Sequence, residues 1–239
     1  MRSLFRYSSI LGFVFALNST VCAAQDAAAI PPVAPIPPVA QAPVDPGLQI
    51  IQRWLQTNSN VATLRINFTQ TRTMKSIKVP IRQEGSLWLD YRTGLFRWQT
   101  GDPPQTIVTK HRDDIIIIRT PGKKYEVRPA GSGASPGMAA LAGGFPKTLE
   151  KFQQKYRLLE VRQQDKTFRI KTQPLGAGGR GVGSFTFVIE ADHYRLLGIE
   201  VDLEDGSSLH TVFDDVELNA PIPAGLFTPD LTGYKQTEF

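Results

Sequence analysis

From Leu64 almost to the C-terminus, runs in which every second residue is apolar recur at intervals, and that period constrains the fold more than any other feature. Leu64, Ile66 and Phe68 alternate with Arg65, Asn67 and Thr69. The pattern returns at Leu87 and Leu89, Phe96 and Trp98, and Phe168 and Ile170. It returns again at Phe185, Phe187 and Ile189, and at Ile199, Val201 and Leu203. A strand points successive side chains to opposite faces, so this alternation predicts antiparallel sheet with one apolar face. Ile115 to Ile118 departs from it, since four β-branched residues in a row predict a strand covered on both faces. Turn residues separate the runs at Gly101-Asp102-Pro103-Pro104, Pro121-Gly122 and Asp205-Gly206, the last a hairpin signal.

Two segments follow a different period. Asp45 precedes Pro46 as an acceptor at the head of a helix, and Leu48, Ile51, Trp54 and Leu55 then form one apolar face. Residues 130–144 are small and glycine-rich, long enough for a lid or loop. Pro146 to Gln154 then reads as a short helix with Leu149 and Phe152 on its apolar side. The expectation is a long, curved antiparallel sheet with two helical pieces over its apolar face and a cavity between the layers.

The first 45 residues read differently. Arg2 and Arg6, the apolar run Ile10 to Leu17 and small residues around Ala23 predict a signal peptide over residues 1–23, cleaved after Ala23 or Ala24. Branched Val21 before Cys22 is a poor lipoprotein signal, so Cys22 is expected to leave unacylated. It is the only cysteine, which excludes disulfides and thiolate chemistry from the mature chain. Residues 24–45 are Ala/Pro-rich and predict a polyproline linker, leaving 46–239 as the folded domain. The net charge of +5 is mild and its cations are scattered, which argues against nucleic acid.

Motifs that suggest chemistry fail on their context. Gly176 to Gly181 fits G-x-G-x-x-G, but a strand, Ser184 to Val188, follows where a dinucleotide site needs a helix. Gly133 to Gly137 fits G-x-S-x-G, but Pro136 has no N–H to donate to an oxyanion. Asp113-Asp114 and Asp214-Asp215 would place neighbours on opposite strand faces. His111, His193 and His210 have no metal-ligand spacing. No enzyme, cofactor or metal is expected.

The remaining signal is a resemblance. Gly85-Ser-Leu-Trp-Leu-Asp-Tyr-Arg92-Thr-Gly-Leu95-Phe96-Arg97-Trp98, followed by Pro104 to Val108, resembles the hallmark region of the LolA family. Phe68-Thr69-Gln70 is similar to that family's Phe-x-Gln strand, and Phe213 to Ile222 with Leu226-Phe227 resembles its closing strands. The resemblance implies a mainly β fold with α, an unclosed, curved antiparallel half-barrel capped by helices around an apolar cavity. It implies a monomeric periplasmic carrier of acylated lipoproteins, loaded by an inner-membrane ABC transporter and unloaded at an outer-membrane acceptor. On that reading the cavity is lined by Leu64, Ile66, Phe68, Leu87, Leu89, Phe96, Trp98, Phe185, Phe187, Ile189, Ile199 and Val201. Arg92 matches the arginine that bonds lid carbonyls and holds the empty cavity shut. The sequence departs from the family at Thr93-Gly94, where proline is common, and in a Trp88–Arg92 interval one residue longer than usual. The family's Asp-Gly turn is replaced here by Lys110-His111-Arg112-Asp113-Asp114. A carrier of another lipid, a glycolipid or pigment, and an envelope lipid or lipoprotein sensor are alternatives of the same fold.

Overall fold

The computed structural model describes residues 45–129, 145–179 and 181–238. The expected leader, nearly all of the Ala/Pro-rich linker, and the 130–144 loop with its G-x-S-x-G lie outside them. The chain opens with helix α1 (Pro46–Thr57), then strands β1 (Thr63–Met74), β2 (Ile77–Asp90), β3 (Leu95–Thr100), β4 (Thr106–His111), β5 (Asp114–Arg119) and β6 (Lys124–Pro129). Helix α2 (Leu149–Lys155) leads into β7 (Tyr156–Gln164), β8 (Thr167–Pro174), β9 (Val182–Glu190), β10 (Leu196–Leu203) and β11 (Ser208–Leu218), and β12 (Lys235–Gln236) closes the chain.

All the strands join one unclosed, curved sheet in the order β12-β6-β5-β4-β3-β2-β1-β11-β10-β9-β8-β7. Among the described residues every pairing is antiparallel except β12 against β6. The alternation sets the register. Phe96 faces Leu89 and Leu89 faces Leu64; Trp98 faces Leu87 and Leu87 faces Ile66. On the other wing Ile199 faces Phe187, which faces Ile170. Each row points its side chains to one face, and all of these residues are buried.

Gly85 allows a close contact in that layer. Phe68 lies opposite it, and a Cβ there would stand 2.4 Å from the Phe68 ring and 2.3 Å from the Gln99 carbonyl. The bare glycine lets the Phe68 ring come within 4.0 Å, centroid to centroid, of Trp98. At the Asp205-Gly206 hairpin turn, Gly206 takes φ +84°, a conformation that favours glycine.

The helices cover the apolar face. The Asp45 carboxylate caps α1 by accepting from Gly47 N at 2.8 Å, and Pro46 occupies the first turn, where its missing N–H costs nothing. Ile51, Trp54 and Leu55 are buried against the sheet. Helix α2 begins at Leu149, three residues later than Pro146, because Thr148 caps it by accepting from Lys151 N at 3.2 Å. Phe152 is fully buried and joins Trp54, Tyr156, Phe185 and Phe187 in one aromatic cluster beneath both helices.

The isoleucine run is covered on both sides as expected. Ile115 and Ile117 pack into the main core, while Ile116 and Ile118 form a second cluster with Ile107, Tyr125, Leu231 and Tyr234. The chain after β11 supplies that outer cover. Arg97 Nη1 donates to Leu226 O at 3.2 Å, and Thr109 Oγ1 to Phe227 O at 3.4 Å, before β12 pairs with β6.

Candidate functional site

A cavity of about 450 Å³ opens between α1, β1, the end of β11 and the short segment before α2. Its size falls within the ~300–1,000 Å³ of typical small-ligand sites. Trp54 and Leu55 of α1 form one wall, and Leu64 and Ile66 of β1 form the floor with Phe213, Val216 and Leu218 of β11. Phe145, Pro146 and Lys147 lie over it, and Tyr91, Arg195, Asp214 and Asp215 stand around it. Leu218 is 50% exposed although its strand position, opposite Leu64, belongs to the apolar face. Val216 is exposed likewise, opposite Ile66. Apolar side chains on the inner face of the sheet thus remain uncovered at this place.

A β-bulge shapes the floor. Asn67 pairs with Asp215 and Phe68 with Phe213, so Asp214 has no partner across the ladder. Both Asp214 and Asp215 border the cavity, which corrects the expectation of neighbours on opposite faces of a regular strand. The Asp214 carboxylate accepts from Thr69 Oγ1 at 2.8 Å. Asp113, of the other acidic pair, sits in the turn before β5.

Lys147 ties the segment above the cavity to the chain after α1, and Phe145 of that segment packs against the core. Lys147 Nζ donates to Val61 O at 2.7 Å and to Ser59 O at 3.3 Å, and lies 4.5 Å above the Tyr91 ring centre. Burial pushes the Tyr91 hydroxyl well above its ordinary pKa, so it stays protonated. Tyr91 itself is placed by the turn between β2 and β3. There Asp90, buried at 6% exposure, takes both Nε and Nη2 of Arg92 at 3.1 Å and the Arg92 backbone N at 2.9 Å. The Arg92 hydrogen bond holds the Asp90 carboxyl below its usual range.

Of the twelve residues expected in the cavity wall, Leu64 and Ile66 line the cavity. Phe68, Leu87, Leu89, Phe96, Trp98, Phe185, Phe187, Ile189, Ile199 and Val201 share the same face and are packed in the core beside it. Arg92 is 67% exposed along its side chain, with its hydrogen bonds among the described residues going to Asp90. The sequence reading did not single out Trp54, Leu55, Tyr91, Lys147, Val216 or Leu218 as site residues. The last two had a signal, the spacing Val216-Glu217-Leu218; Lys147 had none.

Among the described residues no group of three or more His, Cys, Asp or Glu side chains gathers as a metal site. Nor is any helix there long and apolar enough to cross a membrane. The arrangement suits partition: an apolar floor takes up hydrocarbon, and a charged border stays in water.

The sequence profile of the outer membrane lipoprotein carrier protein LolA family matches residues 59–230. An outer-membrane lipoprotein carrier protein of Chromohalobacter salexigens is 27% identical over 147 residues, 61% of this chain and 65% of that protein's length. A LolA superfamily protein from Nitrosomonas europaea superposes with a TM-score of 0.44 at 8% identity, over 77% of this chain and 97% of that one. An uncharacterized conserved protein from Thermus thermophilus superposes at 0.48, also 8% identical, over 79% and 96%.

Proposed function

Because the chain belongs to the LolA family of outer membrane lipoprotein carrier proteins, we propose that it is a periplasmic carrier of lipoprotein acyl chains. It takes them into the cavity under α1 from an inner-membrane ABC transporter and surrenders them to an outer-membrane acceptor. The observation that carries this reading is the uncovered apolar floor, Val216 and Leu218, beside buried Leu64, Ile66 and Phe213 on the same face.

The physical demand for such a carrier is large. At ~0.8 kcal/mol per methylene, an acyl chain of about fourteen methylenes costs on the order of ten kcal/mol to expose to water. A cavity that gripped all of this could never unload. Closure of the empty cavity supplies the opposition, since ligand affinity falls with the fraction of protein in the open state. Arg92 and Lys147 carry that closure together in this reading. The Arg92–Asp90 fork fixes the turn, the turn presents Tyr91, and Tyr91 with two backbone carbonyls holds Lys147 over the floor. Opening would extend the floor along the same face toward Phe68, Phe96 and Trp98.

The test is to purify the mature chain from its native envelope and identify co-purifying molecules by mass spectrometry. An acylated protein is the expected cargo. A glycolipid or pigment would change the cargo and keep the cavity. No lipid, together with no binding of a fluorescent fatty-acid probe, would end the carrier reading.

A further inference from the structure

The arm formed by the outer ends of β1 and β2 combines exposed apolar side chains with a one-signed charge. Ile77, Val79 and Ile81 are exposed, Val79 at 72%. β3 begins to pair with β2 only at Gly85, so among the described residues Ile77 to Gln83 pair with β1 alone. Between Thr71 and Gln83 the chain carries Arg72, Lys75, Lys78 and Arg82 and no acidic residue. Arg72 lies in the field of Asp205, whose carboxylate accepts from Ser207 N at 2.8 Å. No ion pair among the described residues engages Lys75, Lys78 or Arg82.

A free strand edge invites pairing with another strand, but this edge is built against it. Arg72 faces Ile81 while Met74 faces Ile77, so the ladder is bulged around Lys78 to Pro80. Pro80 has no N–H, and Lys78 and Arg82 flank it. Bulges, prolines and cations are the features that keep edges from adding strands. What the arm offers is therefore its side chains. Ile81 shares one face with Arg72 and Arg82 lies on the other, so the arm entering edge-on presents apolar groups and cations to one plane, as the boundary of an anionic bilayer requires.

We propose that the β1–β2 arm docks the protein on an anionic lipid surface. Ile77, Val79 and Ile81 enter the headgroup boundary, and Lys75, Lys78 and Arg82 meet lipid phosphates. This docking is independent of what the cavity holds, because the arm does not border the cavity.

Flotation of the mature full chain with phosphatidylcholine vesicles, with and without phosphatidylglycerol, tests it. The wild type should float with the anionic vesicles and be released by high salt. Lys78→Gln and Arg82→Gln should each weaken binding about fivefold, and Val79→Asn about tenfold. The same variants should bind the fatty-acid probe as the wild type does and melt at its temperature, so a failed cargo assay and a failed docking assay stay distinct. Equal flotation with both vesicle types, none with either, or variants that float like wild type would each overturn the proposal. So would protection of the Ile77–Gln83 amides by a protein partner without vesicle binding, which would make the arm a strand-pairing edge.

Discussion

Arg92 and Asp90 form a two-pronged ion pair within a single turn, Nε on Oδ1 and Nη2 on Oδ2, each at 3.1 Å. The residue between them, Tyr91, is the one that faces Lys147. Arg92 therefore acts on the cavity at one remove, by holding the turn that holds the tyrosine. Arg92→Leu and Asp90→Asn should both leave the protein folded, raise fatty-acid probe affinity a few-fold and slow release to acceptor vesicles. The double variant should add little to either single one, because residues that act as one unit are not additive. Probe titration and vesicle transfer on the three variants check this, and wild-type behaviour in both assays removes Arg92 from the closing device.

Lys147→Met keeps the length of the side chain and removes its charge. The carbonyls of Ser59 and Val61 lose a donor and the Tyr91 ring loses its cation. A charged hydrogen bond contributes about 1.5–3 kcal/mol and a cation–π contact about 0.5–2 kcal/mol. The open state should gain by a comparable amount, so the probe should bind at least tenfold tighter and associate faster. Stopped-flow fluorescence measures both; a slower association would mean that Lys147 guides the ligand instead of closing the cavity.

Leu218→Glu separates the floor from the core. Leu218 is already half-exposed, so a carboxylate there should change stability little while abolishing probe binding, since hydrocarbon would strip its hydration. Phe187→Ala, in the aromatic cluster under the helices, should instead cost about 3–5 kcal/mol of stability. Urea unfolding beside probe titration distinguishes the two; a large stability loss at Leu218 would place it in the closed core.

Acid should weaken the fold through two carboxyls. The Arg92 hydrogen bond holds Asp90 below its ordinary 3.8, and Arg119 and then Arg128 hold Glu126 below 4.5. A carboxyl with a depressed folded pKa stabilises the native state fully above its unfolded pKa. That stabilisation is lost as pH falls through the lowered value. Urea midpoints should be level near neutrality and fall below about pH 4. Asp90→Asn and Glu126→Gln should each flatten that fall, and an unchanged slope would show that neither pair is coupled to folding.

The sheet was legible because one face of nearly every strand meets the core, and alternation records that. Where it does not, the sequence was silent. Strand β7 lies at the end of the sheet with Leu159 exposed, so its apolar residues show no clean period. The start of α2 was set by the Thr148 cap, a single hydroxyl that outweighs the proline two residues before it. The ten core residues expected in the cavity wall share their face with Leu64 and Ile66; period alone cannot say where along a face the helices leave a gap. The bulge at Asp214 and the reach of Lys147 depend on pairings between residues far apart in the chain.

The position of β1 between β2 and β11 has a kinetic consequence. β1 through β6 form one run of neighbouring hairpins and β7 through β11 another, each closing over short loops. The seam between them joins residues 157 positions apart, as at Thr63 and Ala220. Contacts of such sequence separation form slowly, because a long loop must close before they are rewarded. The native sheet is therefore completed only when the last long strand is available, and a chain still being synthesised cannot assemble it prematurely. Circular permutation that joins the ends and opens the chain between β6 and β7 would shorten the loop that closes this seam, and the permuted protein should refold faster.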